Sequence, residues 1–167
     1  DLHGGGIFLS GIAEFTMHSG KITGCTAAQG GGIWAQDNVA FTLNDGTISS
    51  CTVESVGAKG GGIYLNGKDV TFIMNGGTIE GNTCEYLGGG IYTESDGTIS
   101  AGLITGNQST CETGYGGGIY VHKEATLQLY NTVVKENTAT SMGGGIWACR
   151  TGDIKVYVTD GGAVYDN

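Results

Sequence analysis

The tetrapeptide Gly-Gly-Gly-Ile occurs six times, beginning at residues 4, 30, 60, 88, 116 and 143, so that successive copies start 26, 30, 28, 28 and 27 residues apart. A period in this range marks a solenoid, a propeller or an array. Three consecutive glycines add backbone entropy that folding must remove, and they ordinarily weaken a strand or a helix. Here each triplet runs straight into a strand-like pair such as Ile33-Trp34. The architecture must therefore require them.

A second phrase recurs between the triplets, as Gly20-Lys21-Ile22-Thr23-Gly24-Cys25, Gly46-Thr47-Ile48-Ser49-Ser50-Cys51, Gly77-Thr78-Ile79-Glu80-Gly81-Asn82 and Gly102-Leu103-Ile104-Thr105-Gly106-Asn107. Looser copies end at Asn137 and Asn167. Ahead of these phrases lie β-branched and aromatic stretches such as Val39–Leu43, Val70–Met74, Thr126–Leu129 and Ile154–Val158. They have strand composition and no helical spacing. A propeller blade needs about 40 residues, more than one period supplies, and the leucine-rich pattern is missing. The period fits one coil of an all-β, right-handed, single-stranded parallel β-helix, a solenoid of about six coils of three short strands. Coils stacked at about 4.8 Å would make a rod roughly 29 Å long. At its corners the chain must bend sharply, and glycine admits both a positive φ and the close approach of stacked backbones.

Composition agrees with a packed solenoid. Glycine contributes 34 of 167 residues and proline none, but there is no three-residue period, which excludes collagen. The 39% hydrophobic content supports a core. Net charge is -9, and the seven cations are scattered singly. That argues against nucleic acid, whose phosphates call for clustered Lys and Arg, and for a solvated acidic surface. No run of about 18 apolar residues is present to insert in a membrane, and no basic-then-apolar leader opens the chain. Asp1-Leu2-His3 falls at once into the repeat. We therefore expect residues 1–167 to form a single β-helix domain, a segment of a longer repeat protein or a processed mature form.

Strand alternation sorts inside from outside. Ile7, Ile33, Ile63, Ile91, Ile119 and Ile146 should point inward, followed two residues on by Leu9, Ala35, Leu65, Thr93, Val121 and Ala148. Another inward column is Ile22, Ile48, Ile79, Ile104, Val134 and Val164. Between the first two columns stand Phe8, Trp34, Tyr64, Tyr92, Tyr120 and Trp147, one aromatic per coil on an outer face. Such a row is either a platform for sugar rings or simply a cross-strand stack that stabilises neighbouring coils. Asn82, Asn107, Asn137 and Asn167 share one position, expected inward, where their amides can bond from coil to coil.

Five cysteines remain. Equivalent positions one coil apart lie within disulfide reach, so Cys25 with Cys51 and Cys84 with Cys111 are candidate disulfides. The second pair is supported by the shared Cys-Glu dipeptide ahead of a triplet. Buried free thiols acting as small hydrophobes are the alternative. No metal site is expected: Cys-x-x-Cys is absent, and His3, His18 and His122 stand in unrelated places. No cofactor is implied. The outward row Thr23, Ser49, Glu80, Thr105, Lys135 and Tyr165 changes from coil to coil, and Glu94 with Asp96 or Asp37 with Asp45 read as loop charges. No carboxylate pair recurs at glycosidase separation, and catalysis is not expected.

The alternating Gly-Gly-Gly-Ile-Tyr and Gly-Thr-Ile-x-x-Asn phrases, at 60–64 with 77–82 and at 88–92 with 97–107, resemble the polymorphic outer membrane protein type repeats of microbial surface proteins and adhesins. The resemblance covers nearly the whole chain. It implies a right-handed parallel β-helix that is exported and displayed outside the cell, acting as an adhesin-like or stalk module. Its partners would be a host or microbial glycan, a surface protein, or further coils or copies meeting the solenoid ends. The alternative is a carbohydrate-binding or polysaccharide-lyase-like β-helix using the aromatic column.

Overall fold

The computed structural model describes residues 3–157 and 161–167; Val158, at the end of the last expected strand stretch, lies outside them. Six coils wind in register, and their strands form three parallel sheets. The first sheet holds the strands that follow the triplets: Ile7–Leu9, Ile33–Gln36, Ile63–Asn66, Ile91–Thr93, Ile119–Val121 and Ile146–Ala148, stacked in chain order. The second has ten strands. Its side is broken into two short stretches in the first three coils, for example Ala40–Leu43 and Thr47–Ser49. In the next two coils it runs unbroken as Gly97–Thr105 and Thr126–Lys135. The third sheet is five two-residue strands: Thr26–Ala27, Thr52–Val53, Thr83–Cys84, Gln108–Ser109 and Thr138–Ala139.

The ladders place like on like. Ile33 pairs with Ile63 and Ile63 with Ile91; Ile48 pairs with Ile79 and Ile79 with Ile104. All six are fully buried, and removing an aliphatic side chain of this size from water contributes about 1.5–3 kcal/mol. The second sheet adds a stack not singled out from sequence, Phe15 on Phe41 on Phe72, with ring centroids 5.4 and 5.2 Å apart. Gly97 then takes the phenylalanine position, paired on either side with Phe72 and Leu127. The lumen is thus a set of continuous aliphatic and aromatic ladders, with Val156 and Val164 of the sixth coil exposed.

Each glycine of a triplet meets a different demand. Gly60 has φ +64°, in the left-handed region that side chains resist. A Cβ on Gly61 would stand 2.6 Å from the Thr83 carbonyl oxygen, and one on Gly62 2.7 Å from the Gly90 carbonyl oxygen of the next coil and 3.0 Å from the Asn82 amide inside the lumen. The triplet amides also bond upward, Gly61 N to Gly88 O at 3.0 Å and Gly62 N to Gly90 O at 3.1 Å. Backbone fills the space where side chains would stand. The triplets are corners that stack main chain on main chain.

Candidate functional site

The aromatic column points away from the lumen, as alternation requires. Its rings form a continuous stack: Phe8 to Trp34 at 5.6 Å, Trp34 to Tyr64 at 5.2 Å, Tyr64 to Tyr92 at 5.1 Å and Tyr92 to Tyr120 at 5.1 Å. A sugar platform would need these rings open to solvent, whereas a cross-strand stack would not. Tyr92 is 1% exposed, Tyr64 5%, Tyr120 7% and Trp34 9%, while Phe8 at the end of the stack is 48% exposed.

The cover comes from the residue just before each triplet. His3 bridges to Gln29, and Lys59, Leu87, Tyr115 and Met142 bridge to one another in turn, the two runs meeting where the Gly30 amide bonds the Lys59 carbonyl at 3.0 Å; the left-handed bend of the first glycine brings these residues across the rings. His3 meets Trp34 edge-on at 4.1 Å, Leu87 packs into the aromatic cluster, and Tyr115 stacks on Trp147 at 5.3 Å. The four central rings are consequently a second, smaller core outside the solenoid wall. They present no free face to a sugar.

A polar group gathers along the rim of this core, and sequence reasoning did not bring it together. Lys59 Nζ donates to Glu94 Oε1 at 3.1 Å and to the Tyr64 hydroxyl at 3.3 Å. The Tyr64 hydroxyl donates to Asn66 Oδ1 at 3.0 Å, and the Tyr92 hydroxyl to Glu94 Oε1 at 3.1 Å. The Lys59 ammonium also sits 4.8 Å from the Tyr92 ring centre and 5.3 Å from that of Tyr64, an attractive placement of a cation against aromatic rings. His122 lies on the next coil, its ring 5.9 Å from that of Tyr92. The signal was present in the alternation: Gln36, Asn66, Glu94 and His122 are the next outward residues after the aromatic in their coils.

The titration of the group follows from its surroundings. Burial, reinforced by the Glu94 carboxylate, pushes the Tyr64 and Tyr92 hydroxyls above the ordinary tyrosine range. Burial acts to raise Glu94 as well, but Lys59 and the hydrogen bond from Tyr92 outweigh it and hold the carboxyl below its usual range. Burial lowers His122 against the opposing pull of Glu94. At neutral pH this leaves the Lys59–Glu94 ion pair tied to two neutral phenols, with Lys59, Glu94, Tyr64 and Tyr92 bonded to one another. No nucleophile is activated there.

The three aspartates singled out from sequence each bind a backbone amide. Asp37 Oδ2 accepts the Gly11 amide at 3.1 Å, Asp96 Oδ1 the Thr126 amide at 2.6 Å, and Asp45 Oδ1 the Gly46 amide at 2.7 Å. Among the described residues no three His, Cys, Asp or Glu side chains gather as metal ligands.

All five cysteines are free thiols in the structure, and the coil register bears differently on the two expected disulfides. For one pair the register itself is at fault. Cys84 is the ladder partner of Ser109, not Cys111, because the coil from 84 to 109 is two residues shorter than the motif spacing implies. Cys84 is buried, which pushes its thiol up to about 12, while Cys111 lies further along its loop and is partly exposed. Cys25 and Cys51 do occupy matching places, between the ladder pairs Thr23–Ser49 and Thr26–Thr52. The asparagine position is inward and buried as expected: Asn82, Asn107 and Asn137 have no exposure.

Coils of parallel strands around a dry lumen, glycine corners and an internal asparagine row define a parallel β-solenoid. The chain matches the protein family described as "Right handed beta helix region" over residues 2–160, and it belongs to that family. Searches among curated proteins and among solved structures found no match.

Proposed function

We propose that this β-helix is a non-catalytic module of an extracellular or cell-surface protein, serving as a rigid stalk or adhesin-like segment. The observation that carries this reading is the covered aromatic column. The residues with the best claim to bind a ligand are spent on one another, as a second core whose polar rim is internally bonded. The resemblance of the repeats to those of polymorphic outer membrane protein type supports display outside the cell. The ladders support stiffness, since the first five coils are bonded to one another along three sides and the sixth joins them along two. Among the described residues no helix is long and apolar enough to cross a membrane.

The reading is tested on two fronts. Surface protease treatment and fractionation of the producing cells should place the protein in the exposed or secreted fraction; recovery from the cytosol alone would overturn it. On a glycan array the intact chain should bind nothing, while Tyr64→Ala lowers stability by about 3–5 kcal/mol, the usual cost of emptying a packed aromatic site. A glycan bound saturably, and lost in Tyr64→Ala or Trp34→Ala at unchanged fold, would favour the carbohydrate-binding alternative instead.

A further inference from the structure

We propose that Cys25 and Cys51 form an oxidisable dithiol whose disulfide clamps the first coil to the second, with a small-molecule disulfide of the glutathione class as oxidant. The geometry is specific to this pair. Both sulfurs face the third glycine of their own coil: a Cβ built on Gly6 would lie 3.1 Å from Cys25 Sγ, and one on Gly32 3.2 Å from Cys51 Sγ. The two side chains therefore point the same way, one above the other. The Thr52 amide bonds the Cys25 carbonyl at 2.8 Å, which fixes the two backbones as adjacent rungs. Their Cα atoms are then spaced at about 4.8 Å, inside the roughly 4.4–6.8 Å that a disulfide spans. Cys51 Sγ leans toward the lower coil, reaching the Ile22 carbonyl oxygen at 3.9 Å.

The two thiols are not equivalent, and this orders the reaction. Cys25, in the first coil, is partly exposed and packs against the edge of the main core. Cys51 has no exposure. Burial pushes its thiol up to about 11, against the contacts it makes with the Cys25 backbone. Cys25 loses its proton and attacks one sulfur of the oxidant, expelling one glutathione thiolate and leaving a mixed disulfide. Cys51 then loses its proton and attacks Cys25 Sγ, expelling the second glutathione thiolate. Two protein thiols are oxidised, one external disulfide is reduced to two thiols, and the two cysteine protons pass to the departing thiolates. Because the attacking species is the thiolate, the second step speeds up as pH rises toward the Cys51 value. The link would close the one corner of the solenoid that lacks an asparagine row, and it depends on the coil register rather than on the stalk reading.

The test takes the intact chain through mixtures of oxidised and reduced glutathione, then blocks remaining thiols with N-ethylmaleimide in acid. Cleavage before Asp37 and Asp45 puts the two cysteines on separate peptides for non-reducing mass spectrometry. The expected result is a Cys25–Cys51 linked pair with Cys84, Cys111 and Cys149 blocked, forming faster at higher pH, and a stable glutathione adduct on Cys25 in the Cys51→Ser variant. Cys25 and Cys51 both blocked after oxidation would overturn the proposal. So would glutathione retained on Cys25 of the unmutated chain across the pH range, or a link from either residue to another cysteine.

Discussion

The corner after the third short stretch of each coil is built in two ways along the same rod. In the upper four coils it carries Asn82, Asn107, Asn137 and Asn167; in the lower two it carries Cys25 and Cys51. Asn107 shows what the amide does. Its Oδ1 accepts the Asn82 backbone amide at 3.0 Å and the Asn82 Nδ2 at 2.9 Å, while its own Nδ2 donates to the Ile79 carbonyl at 3.0 Å and to Asn137 Oδ1 at 2.9 Å. The row repeats these bonds from Asn82 to Asn167. Cys51 receives the last of them, its amide bonding Asn82 Oδ1 at 3.0 Å, but has no amide oxygen to pass on. Its thiol donates weakly instead, to the Ser49 carbonyl at 3.3 Å and toward the Ile22 carbonyl at 3.9 Å. The lesson is that one backbone corner can be closed by a directional polar chain or by a small hydrophobe, and the two closures differ in strength and in what disturbs them.

The largest expected effect comes from cutting the polar chain. Asn107→Leu leaves the Asn82 amide, the Asn82 side chain and the Ile79 carbonyl short of a partner in a dry interior. With each such group costing about 1–3 kcal/mol, urea unfolding should show a loss of roughly 3–5 kcal/mol. Cys25→Ala in the lower corner removes only a partly buried sulfur and should cost under about 2 kcal/mol. Equal losses in the two variants would erase the distinction between the corners.

A smaller effect tests whether the chain of amides can be lengthened. Cys51→Asn offers an Oδ1 to the Cys25 amide and an Nδ2 to the Ile22 carbonyl, and should stabilise the protein by about 0.5–1.5 kcal/mol. The same variant separates the corners by pH. The Cys51 thiol is raised in the folded protein from 9.0 to about 11, so its contribution is fully present below pH 9 and is lost as pH rises through 11. An asparagine does not titrate in that window. The urea midpoint of the unmutated chain should fall more steeply between pH 9 and 11 than that of Cys51→Asn. Tyr64 and Tyr92, raised from 10.0, add a loss above pH 10 that is common to both chains.

The smallest effect concerns the residue just before this corner. Gly24, Gly81 and Gly106 have φ between +59° and +66°, and Ser50, Glu136 and Asp166 adopt +52° to +56° at the equivalent place. The backbone keeps its left-handed turn whichever residue is present. Ser50→Gly should relieve that strain for a net gain of about 0.5–1 kcal/mol, after the added freedom of the unfolded chain is subtracted. No gain in thermal or urea unfolding would mean that the corner geometry costs serine nothing.

Much of this is legible in the sequence. Ile33, Ile48, Ile63 and their equivalents face inward because alternation is a property of the strand itself, and the inward asparagine row follows from the same count. Other features are not. Cys84 and Cys111 share a Cys-Glu dipeptide, but register is set by strand pairing: the asparagine corner advances 25 residues from Asn82 to Asn107 and 30 from Asn107 to Asn137. Motif spacing cannot show on which side of a coil the extra residues fall. Lys59 and Glu94 stand 35 residues apart in sequence, and only the bend at Gly60 brings the lysine across the rings to meet the carboxylate of the next coil.

The sequence by itself determined the period, the parallel coils, the glycine corners and which face of each strand enters the lumen, because these rest on local stereochemistry repeated six times. The tertiary structure decided that the outward aromatics are covered, that a lysine, a glutamate and two tyrosines share one network, and which cysteines lie above one another. Those outcomes depend on how far each coil advances before it stacks on the next, a quantity that long-range packing sets and no single repeat contains.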